Sequence, residues 1–475
     1  MPPIARIITL AGLMAAALPA AGAEGPPKVF DIAAIDAYVA AQVRDRGYPG
    51  LSLTIVTGGE VVLSKGYGLR DLAKGLPVEP DTAFSIGSVT KQFTCAGVLL
   101  LAEDGKLSVD DPVAKYFPGL TRAADITLYD LMTHASGYPD YYPLDFVVTR
   151  MRGPIAHDDL LKQYAGGKLD FEPGTRWSYS NTGYVLLGRV IEKVSGEPFG
   201  AFLARRILKP LGMDRSAFAP AERLADKATG YTTIALGPPQ AVRPEGPGWL
   251  YAAGDLWASA PDLARWDLAL MGGKVLRPEA YRLMTAPRMI AGERVRDYGC
   301  GIGSARRGGE VVLSHSGGVS GFQSYNAMIP RTKSAVILLA NSEYLDPGSL
   351  HGTILDLVIR GGRLPDEAPA VPAVAGPPPK EAALAFFREM QAGRVDRAKL
   401  SDEFSAYLPD EVVAGAGERF GPLGKPEKVE ASPSSERGGF EVTTITLTFK
   451  GGAVLKGTLY RSPDGKIQQL LFIKG

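Results

Sequence analysis

Strand-forming runs stand near both ends of a long stretch of this 475-residue chain, with helical pattern filling the middle. That order is the strongest limit on how the chain can fold. Asp31 to Arg46 carries apolar residues at helical spacing (Ile32, Ile35, Tyr38, Val39, Val43). Leu51–Thr57 and Glu60–Tyr67 are β-rich and joined by Gly58-Gly59, a two-residue hairpin signal. A helix is expected from Ser88 to about Ala102, followed by mostly helical pattern from Leu107 to Leu270. Loops such as Glu172-Pro173-Gly174 and Gly246-Pro247-Gly248 interrupt it. Strand signals return at Tyr298–Ser304, Glu310–Ser314, Gln323–Ile329 and Ser334–Ala340, and a helix over Ser349–Arg360 closes the unit. The expected class is α+β: an antiparallel sheet flanked by helices, with a helical subdomain on one side.

The first 23 residues read as a secretory signal. Arg6 supplies the positive start, Ile7 to Leu18 the apolar stretch, and Ala21-Gly22-Ala23 a small-residue cleavage site. The apolar stretch is too short to span a bilayer. A periplasmic or secreted mature protein is therefore expected, with no integral membrane segment. The alternative, a buried N-terminal helix, fits poorly with Pro2, Pro3 and Pro19. Residues 24–360 form the expected main domain. Residues 361–380 read as a linker, with Pro365, Pro369, Pro372 and Pro377-Pro378-Pro379 at its centre. Residues 381–475 read as a small α+β module: an amphipathic helix over Glu381–Gln391, an alternating strand over Phe440–Lys450, then strands at Ala453–Tyr460 and Lys466–Ile473. The module weakly resembles the cone-shaped nuclear-transport-factor-like domains.

A formal charge of +1 without a polybasic run gives no case for nucleic acid or an anionic membrane as a partner. Two cysteines, Cys95 and Cys300, cannot build a disulfide framework, and buried free thiols are expected in preference to a bridge. The four histidines show no metal-ligand spacing, there is no C-x-x-C, and neither a P-loop nor a dinucleotide fingerprint occurs. No cofactor is expected. The absence of G-x-S-x-G speaks against an α/β-hydrolase.

Three short motifs carry the chemistry. In Ser88-Val89-Thr90-Lys91 the serine and lysine share one helix face, so the amine can reach the hydroxyl. A lysine whose proton is destabilised by burial can then act as base for an otherwise poor nucleophile. Tyr179-Ser180-Asn181 and His315-Ser316-Gly317-Gly318 follow downstream. Together these motifs resemble those of the serine β-lactamase and penicillin-binding protein superfamily, in the branch of class C β-lactamases, D,D-peptidases, D-aminopeptidases and related esterases. Flanking phrases support the resemblance over Phe30–Arg360: Ile126-Thr-Leu-Tyr-Asp-Leu-Met-Thr-His-Ala-Ser-Gly137, Phe171-Glu-Pro-Gly-Thr-Arg-Trp-Ser-Tyr-Ser-Asn181 and Ala253-Gly-Asp-Leu-Trp-Ala-Ser-Ala-Pro-Asp262.

The resemblance implies Ser88 as the acylated nucleophile and Lys91 as its activator. It implies Tyr179 as proton shuttle and Asn181 as the group that orients the acyl amide and Lys91. Ser316 and Gly317 would line the substrate strand, and the Gly318 and Ser88 N–H groups would hold the oxyanion. Whether Lys91 or Tyr179 is the base stays open at this point. His315 departs from the lysine-led pattern of β-lactamases and D,D-peptidases, which removes a fixed positive charge for a substrate carboxylate. The lesser alternative is a packing residue at the sheet edge. His134 is expected to be a satisfied structural histidine, and Tyr141, Tyr142, Trp249 and Tyr251 are aromatic candidates for the acyl pocket. The expected activity is hydrolysis of small ester, amide or short-peptide substrates, including D-amino-acid derivatives. The alternatives are a D,D-carboxypeptidase or β-lactamase, or a catalytically silent ligand-binding envelope protein.

Overall fold

A computed structural model describes residues 26–142, 147–219, 224–233, 237–294, 296–361, 371–437 and 439–474. The expected signal segment and much of the expected linker lie outside these residues. The chain divides into two compact units, Met1–Gly362 and Arg363–Gly475.

In the first unit, helix α1 (Ile32–Arg46) begins where the Asp31 carboxylate accepts the Ala34 N–H at 2.7 Å. The hairpin β1 (Gly50–Thr57) and β2 (Glu60–Asp71) follows, with β2 running four residues further than its sequence signal and pairing with the short β3 (Leu76–Pro77). Helix α2 (Thr90–Glu103) comes next, preceded by a 3-10 turn over Gly87–Val89. Helices α3 (Asn181–Ser195) and α4 (Ala260–Met271) belong to the helical middle. Strands β4 (Gly303–Arg307), β5 (Glu310–Val319), β6 (Phe322–Ile329) and β7 (Ser334–Ala340) lead to α5 (Gly348–Gly361). The sheet order is β4-β5-β6-β7-β1-β2-β3, and every pair is antiparallel. Strand β1 thus pairs with β7, nearly 300 residues away, which closes the two ends of the pattern into one sheet.

Strand β7 is apolar from Ala335 to Ala340 because both faces of the sheet are covered. Val336, Leu338 and Ala340 pack with Ile35 and Val39 of α1 and Ile354 and Val358 of α5. Ala335, Ile337 and Leu339 face the opposite core with Phe93 of α2, Leu187 of α3 and Trp266 of α4.

Two sequence expectations need correction. Tyr298–Ile302 is a turn and not a strand: the Gly299 N–H donates to the Ile302 carbonyl at 2.8 Å, and β4 begins only at Gly303. Two glycines in four residues give this segment little strand preference. Conversely, β5 does not stop at Ser314 but runs through His315-Ser316-Gly317-Gly318 to Val319, because pairing with β6 imposes the strand on poor strand formers.

In the second unit, helices α6 (Pro379–Gln391), α7 (Asp402–Tyr407) and α8 (Asp410–Phe420) accompany a six-stranded sheet. Its central strand, Phe440–Phe449, turns Ile445, Leu447 and Phe449 toward Phe386 and Phe387. The run expected as one strand over Lys466–Ile473 is two, Ile467–Gln469 and Phe472–Lys474, both paired with Val454–Arg461. Among the described residues, no helix is long and apolar enough to cross a membrane.

Candidate active site

From Thr82 to Leu101 every residue is buried except Ser88. The one hydroxyl that reaches a cleft is therefore held by a rigid apolar helix. Thr90, Lys91 and Thr94, on one face of that helix, tie it to the segment 252–256. The Leu256 N–H donates to the Thr90 hydroxyl at 3.2 Å, Lys91 Nζ to the Ala253 carbonyl at 2.8 Å, and Thr94 Oγ1 to the Ala252 carbonyl at 2.7 Å.

Lys91 Nζ has three polar partners: Ser88 Oγ at 3.0 Å, Asn181 Oδ1 at 2.7 Å and the Ala253 carbonyl. Burial pushes the amine down to about 7, against the pull of the Asp140 carboxylate and of Cys95. The partner set suits the neutral amine. Two N–H groups serve the two carbonyl-type oxygens, and the nitrogen lone pair is left for the serine proton.

Asn181 opens α3, and its own N–H and Nδ2 both donate to Asp140 Oδ1 at 3.1 Å. The amide oxygen thus holds Lys91 while its nitrogen is turned to Asp140. Asn181 therefore contacts the lysine through its amide oxygen, while its amide nitrogen points at a carboxylate. Asp140 was missed in the sequence. Its signal was its place three residues after the Ile126–Gly137 phrase, in Tyr138-Pro139-Asp140.

The Tyr179 ring lies beside Lys91, with the ammonium 4.9 Å from its centroid. Burial raises the Tyr179 phenol, and a hydrogen bond with Ser88 works against that rise. Behind it stands His134, whose ring centroid is 4.3 Å from that of Tyr179 and whose Nδ1 accepts the Ser180 N–H at 3.1 Å. Burial and the Lys91 charge hold His134 far below its ordinary range. It braces the Tyr179–Asn181 turn, as a structural histidine. It is not fully satisfied, however, because Nε2 is buried without a hydrogen-bond partner.

The second wall is the free edge of β5. Strand β4 pairs with β5 only as far as Ser314, so residues 315–319 have an open edge on that side. Val319 and Phe322 close a two-residue hairpin as a narrow pair, and alternation then makes Gly318–Gln323 a wide pair. The Gly318 N–H consequently points away from β6. A Cβ on Gly317 would stand 2.1 Å from the Ile86 carbonyl and 2.9 Å from the Ser88 nitrogen, so only glycine lets the strand lie against the nucleophile turn. Gly87, at φ +48, needs glycine twice over, since its Cβ would also lie 3.1 Å from the Gly318 nitrogen. The Ser88 N–H, early in the 3-10 turn, has no intrahelical carbonyl to serve. Two donors are thereby available at one place beside Ser88 Oγ.

His315 donates from Nδ1 to the Ser316 carbonyl at 2.5 Å, so its Nε2 accepts from the Tyr298 hydroxyl at 2.9 Å. Burial, with Lys91 next, pushes the imidazole down to about 4. Tyr179, Trp177, Tyr298, His315 and Ser316 line a cavity of about 490 Å³ on this side of the nucleophile.

Of the aromatic candidates, Tyr141 and Trp249 are core residues: the Tyr141 hydroxyl donates to the Trp249 carbonyl, and the Trp249 indole to the Gly153 carbonyl at 2.8 Å. The Tyr142 hydroxyl donates to Glu245 at 2.9 Å. Tyr251 alone of the four lines a large cavity, described below. Cys95 and Cys300 are both buried and are free thiols.

The Beta-lactamase family model matches residues 35–359. A putative penicillin-binding protein, PbpX, of Bacillus subtilis (strain 168) is 32% identical over 302 residues, 63% of this chain and 72% of the relative. Protein flp of Staphylococcus aureus is 28% identical, and the match spans 66% of this chain and 64% of flp. Among solved structures, the D-amino acid amidase of Ochrobactrum anthropi SV3 superposes with a TM-score of 0.58 at 27% identity, covering 69% of this chain and 97% of the amidase. An octameric penicillin-binding protein homologue from Pyrococcus abyssi shares the fold at a TM-score of 0.62 and 23% identity, over 94% of this chain and 96% of its own. With its three motifs gathered at one cleft and two thirds of its length matched, the chain belongs to the Beta-lactamase family and is a serine hydrolase of the β-lactamase and penicillin-binding protein superfamily.

Proposed function

We propose that this hydrolase cleaves small esters and amides, D-amino-acid and short-peptide derivatives among them, through an acyl-Ser88 intermediate. The observation that carries the reading is the 3.0 Å contact between Ser88 Oγ and a lysine nitrogen whose proton is held only to about pH 7. Ser88 Oγ attacks the carbonyl carbon as its proton passes to Lys91 Nζ. The carbonyl oxygen takes the negative charge between the Ser88 and Gly318 N–H groups. The bond to the leaving amine or alcohol then breaks, and that group departs with a proton delivered through Tyr179. Water repeats the sequence on the acyl-serine, giving the acid and restoring the serine.

The buried phenol of Tyr179, which burial keeps protonated, supports Lys91 as the base and Tyr179 as the relay. The neutral His315 supports small amides and esters over β-lactams and free peptide C-termini, since it offers no cation for a carboxylate. The relatives named for D-amino acid amide and D-stereospecific amide hydrolysis point the same way. The proposed organisation remains a secreted or periplasmic enzyme: signal 1–23, hydrolase domain 24–360, linker 361–380 and α+β module 381–475.

Intact-mass detection of a covalent adduct across p-nitrophenyl esters, D-aminoacyl anilides and nitrocefin tests the reading. An adduct with the esters or anilides that disappears in Ser88→Ala is expected. Nitrocefin turnover faster than that of every ester and anilide would overturn the substrate preference.

A further inference from the structure

A second cavity, of about 1020 Å³, adjoins the segments that carry Ser88 and Gly318. Ser85, three residues before Ser88, and Val319 and Ser320, directly after Gly318, belong to its wall. Five aromatic side chains line it as well: Phe199, Phe218, Tyr251, Trp257 and Phe322. Trp257 and Phe322 meet edge to face at 5.2 Å between centroids, and Phe199 and Tyr251 lie 5.0 Å apart. An apolar cavity of this size beside a nucleophile is the ordinary form of a specificity pocket.

The charged groups on its wall are mostly committed. Arg189 pairs with Asp158 at 3.2 Å and with Glu192 at 2.5 Å. Lys227 Nζ lies over the Trp257 ring, 5.7 Å from its centroid. Glu245 accepts from the Tyr142 hydroxyl and from the Ser320 N–H. Asp255 is different. It lines the cavity, and among the described residues its carboxylate accepts no hydrogen bond and forms no ion pair. Burial and the Glu245 carboxylate both push it up, to about 7, and no basic group pulls it back. A half-buried carboxylate without a partner, facing an apolar cavity, is costly to ionise, and a cationic ligand is what would remove that cost.

The reaction geometry assigns a side to each half of the substrate. With the carbonyl oxygen between the Ser88 and Gly318 N–H groups, the two substituents of the carbonyl carbon run to opposite sides of Ser88. Tyr179 protonates the leaving group, so the leaving group occupies the side of Tyr179 and His315. The acyl group is left facing Ser85 and Val319.

We propose that the aromatic cavity is the acyl-side subsite, and that the Asp255 carboxylate in it receives the protonated amine of an apolar, amine-bearing acyl group. This rests on the acyl-enzyme reading above and narrows its substrate class to acyl donors with a free amine, such as aminoacyl amides with large side chains. The aromatic rings supply both the apolar contact and favourable faces for the ammonium.

The test compares phenylalanine p-nitroanilide, in both configurations, with its deamino counterpart, 3-phenylpropanoyl p-nitroanilide. In the native enzyme kcat/KM is expected to favour an amine-bearing substrate by about 10- to 100-fold. In Asp255→Asn that ratio collapses toward one, with fluorophosphonate labelling of Ser88 as the check that the nucleophile is still assembled. A native enzyme indifferent to the amine, or a ratio unchanged in the variant, overturns the proposal. In a second measurement on native protein alone, 2-phenylethylamine slows fluorophosphonate labelling of Ser88 and 2-phenylethanol does so far less. Equal protection by the two overturns the assignment even if neither anilide is turned over. Failure of the fluorophosphonate to label Ser88 at all would instead strike the acyl-enzyme reading itself.

Discussion

Lys91 and Asp267 are both wholly buried ionisable groups, and burial drives both toward neutrality, Lys91 down to about 7 and Asp267 up to about 8. Only one of them is machinery. Lys91 has three polar partners, one of them Ser88, the one residue from Thr82 to Leu101 that is not buried, and a carboxylate, Asp140, in electrostatic reach. Asp267, on α4, has one, the Asn326 side chain of β6 at 2.9 Å, and no route to a cleft. Asp267 Oδ2 and Asn326 Oδ1 are otherwise unpartnered in the core. A shifted pKa therefore marks a dry environment, and it is the neighbours that separate a catalytic group from a structural one.

The largest expected effect breaks the pair at its catalytic member. Lys91→Gln should lower kcat/KM for an ester substrate by about 10³-fold, while thermal unfolding stays cooperative. A loss below tenfold would move the base elsewhere. The next tests the electrostatic neighbour. Activity requires the deprotonated amine, so kcat/KM should rise with pH along a limb centred near 7. Asp140 favours the protonated form. Asp140→Asn should move that limb to lower pH, by up to about one unit, and the shift is read from the full pH profile. A limb that moves upward would mean that Asp140 acts on some group other than Lys91.

How much of this was legible depended on whether a residue's meaning is local. Ser88 and Lys91 lie three apart on one helix, and His315 to Gly318 are consecutive on one strand, so spacing alone could raise them. The alternation of Ile445, Leu447 and Phe449 was visible for the same reason. Asp140 and Asp255 acquire a role only when the fold brings the first to Asn181, 41 residues on, and sets the second in a cavity between segments from Ser85 to Phe322. Asp140 stands three residues past one flanking phrase and Asp255 inside another, Ala253–Asp262, but neither phrase says what the carboxylate faces. The extent of β5 was hidden likewise, because Ser-Gly-Gly has no strand preference until β6 supplies a partner.

The structural member of the pair predicts a stability effect with a definite sign. In the folded chain Asp267 keeps its proton up to about pH 8, whereas the unfolded chain releases it near the ordinary value of 3.8. Folding therefore costs progressively more as pH rises from about 4 to about 8, and the cost is absent below that window. Asp267→Asn removes it and can return an N–H to the unpartnered Asn326 Oδ1. The variant should be more stable near pH 8, by up to roughly 5 kcal/mol, no more stable at pH 3.5, and unchanged in kcat/KM. Urea unfolding at the two pH values checks it. A destabilised variant at pH 8 would show that the carboxylate is ionised and held by a partner.

The smallest effect concerns the two thiols. The Tyr184 hydroxyl proton is given to the Met132 carbonyl at 2.7 Å, so the Cys95 S–H must be the donor in its 3.3 Å contact with the tyrosine oxygen. Cys300 Sγ has its own contact with the Leu283 carbonyl at 3.6 Å. Oxidation to a bridge would consume both thiol protons and leave both oxygens short of a donor. Burial also pushes Cys95 up to about 12, which removes the thiolate that exchange needs. Native protein should then be silent to Ellman's reagent, release two thiols per chain once unfolded, and show no change in Tm on adding a reductant. Unfolded protein that still shows no thiol would establish a bridge and give these cysteines the stabilising role that their hydrogen bonds deny them.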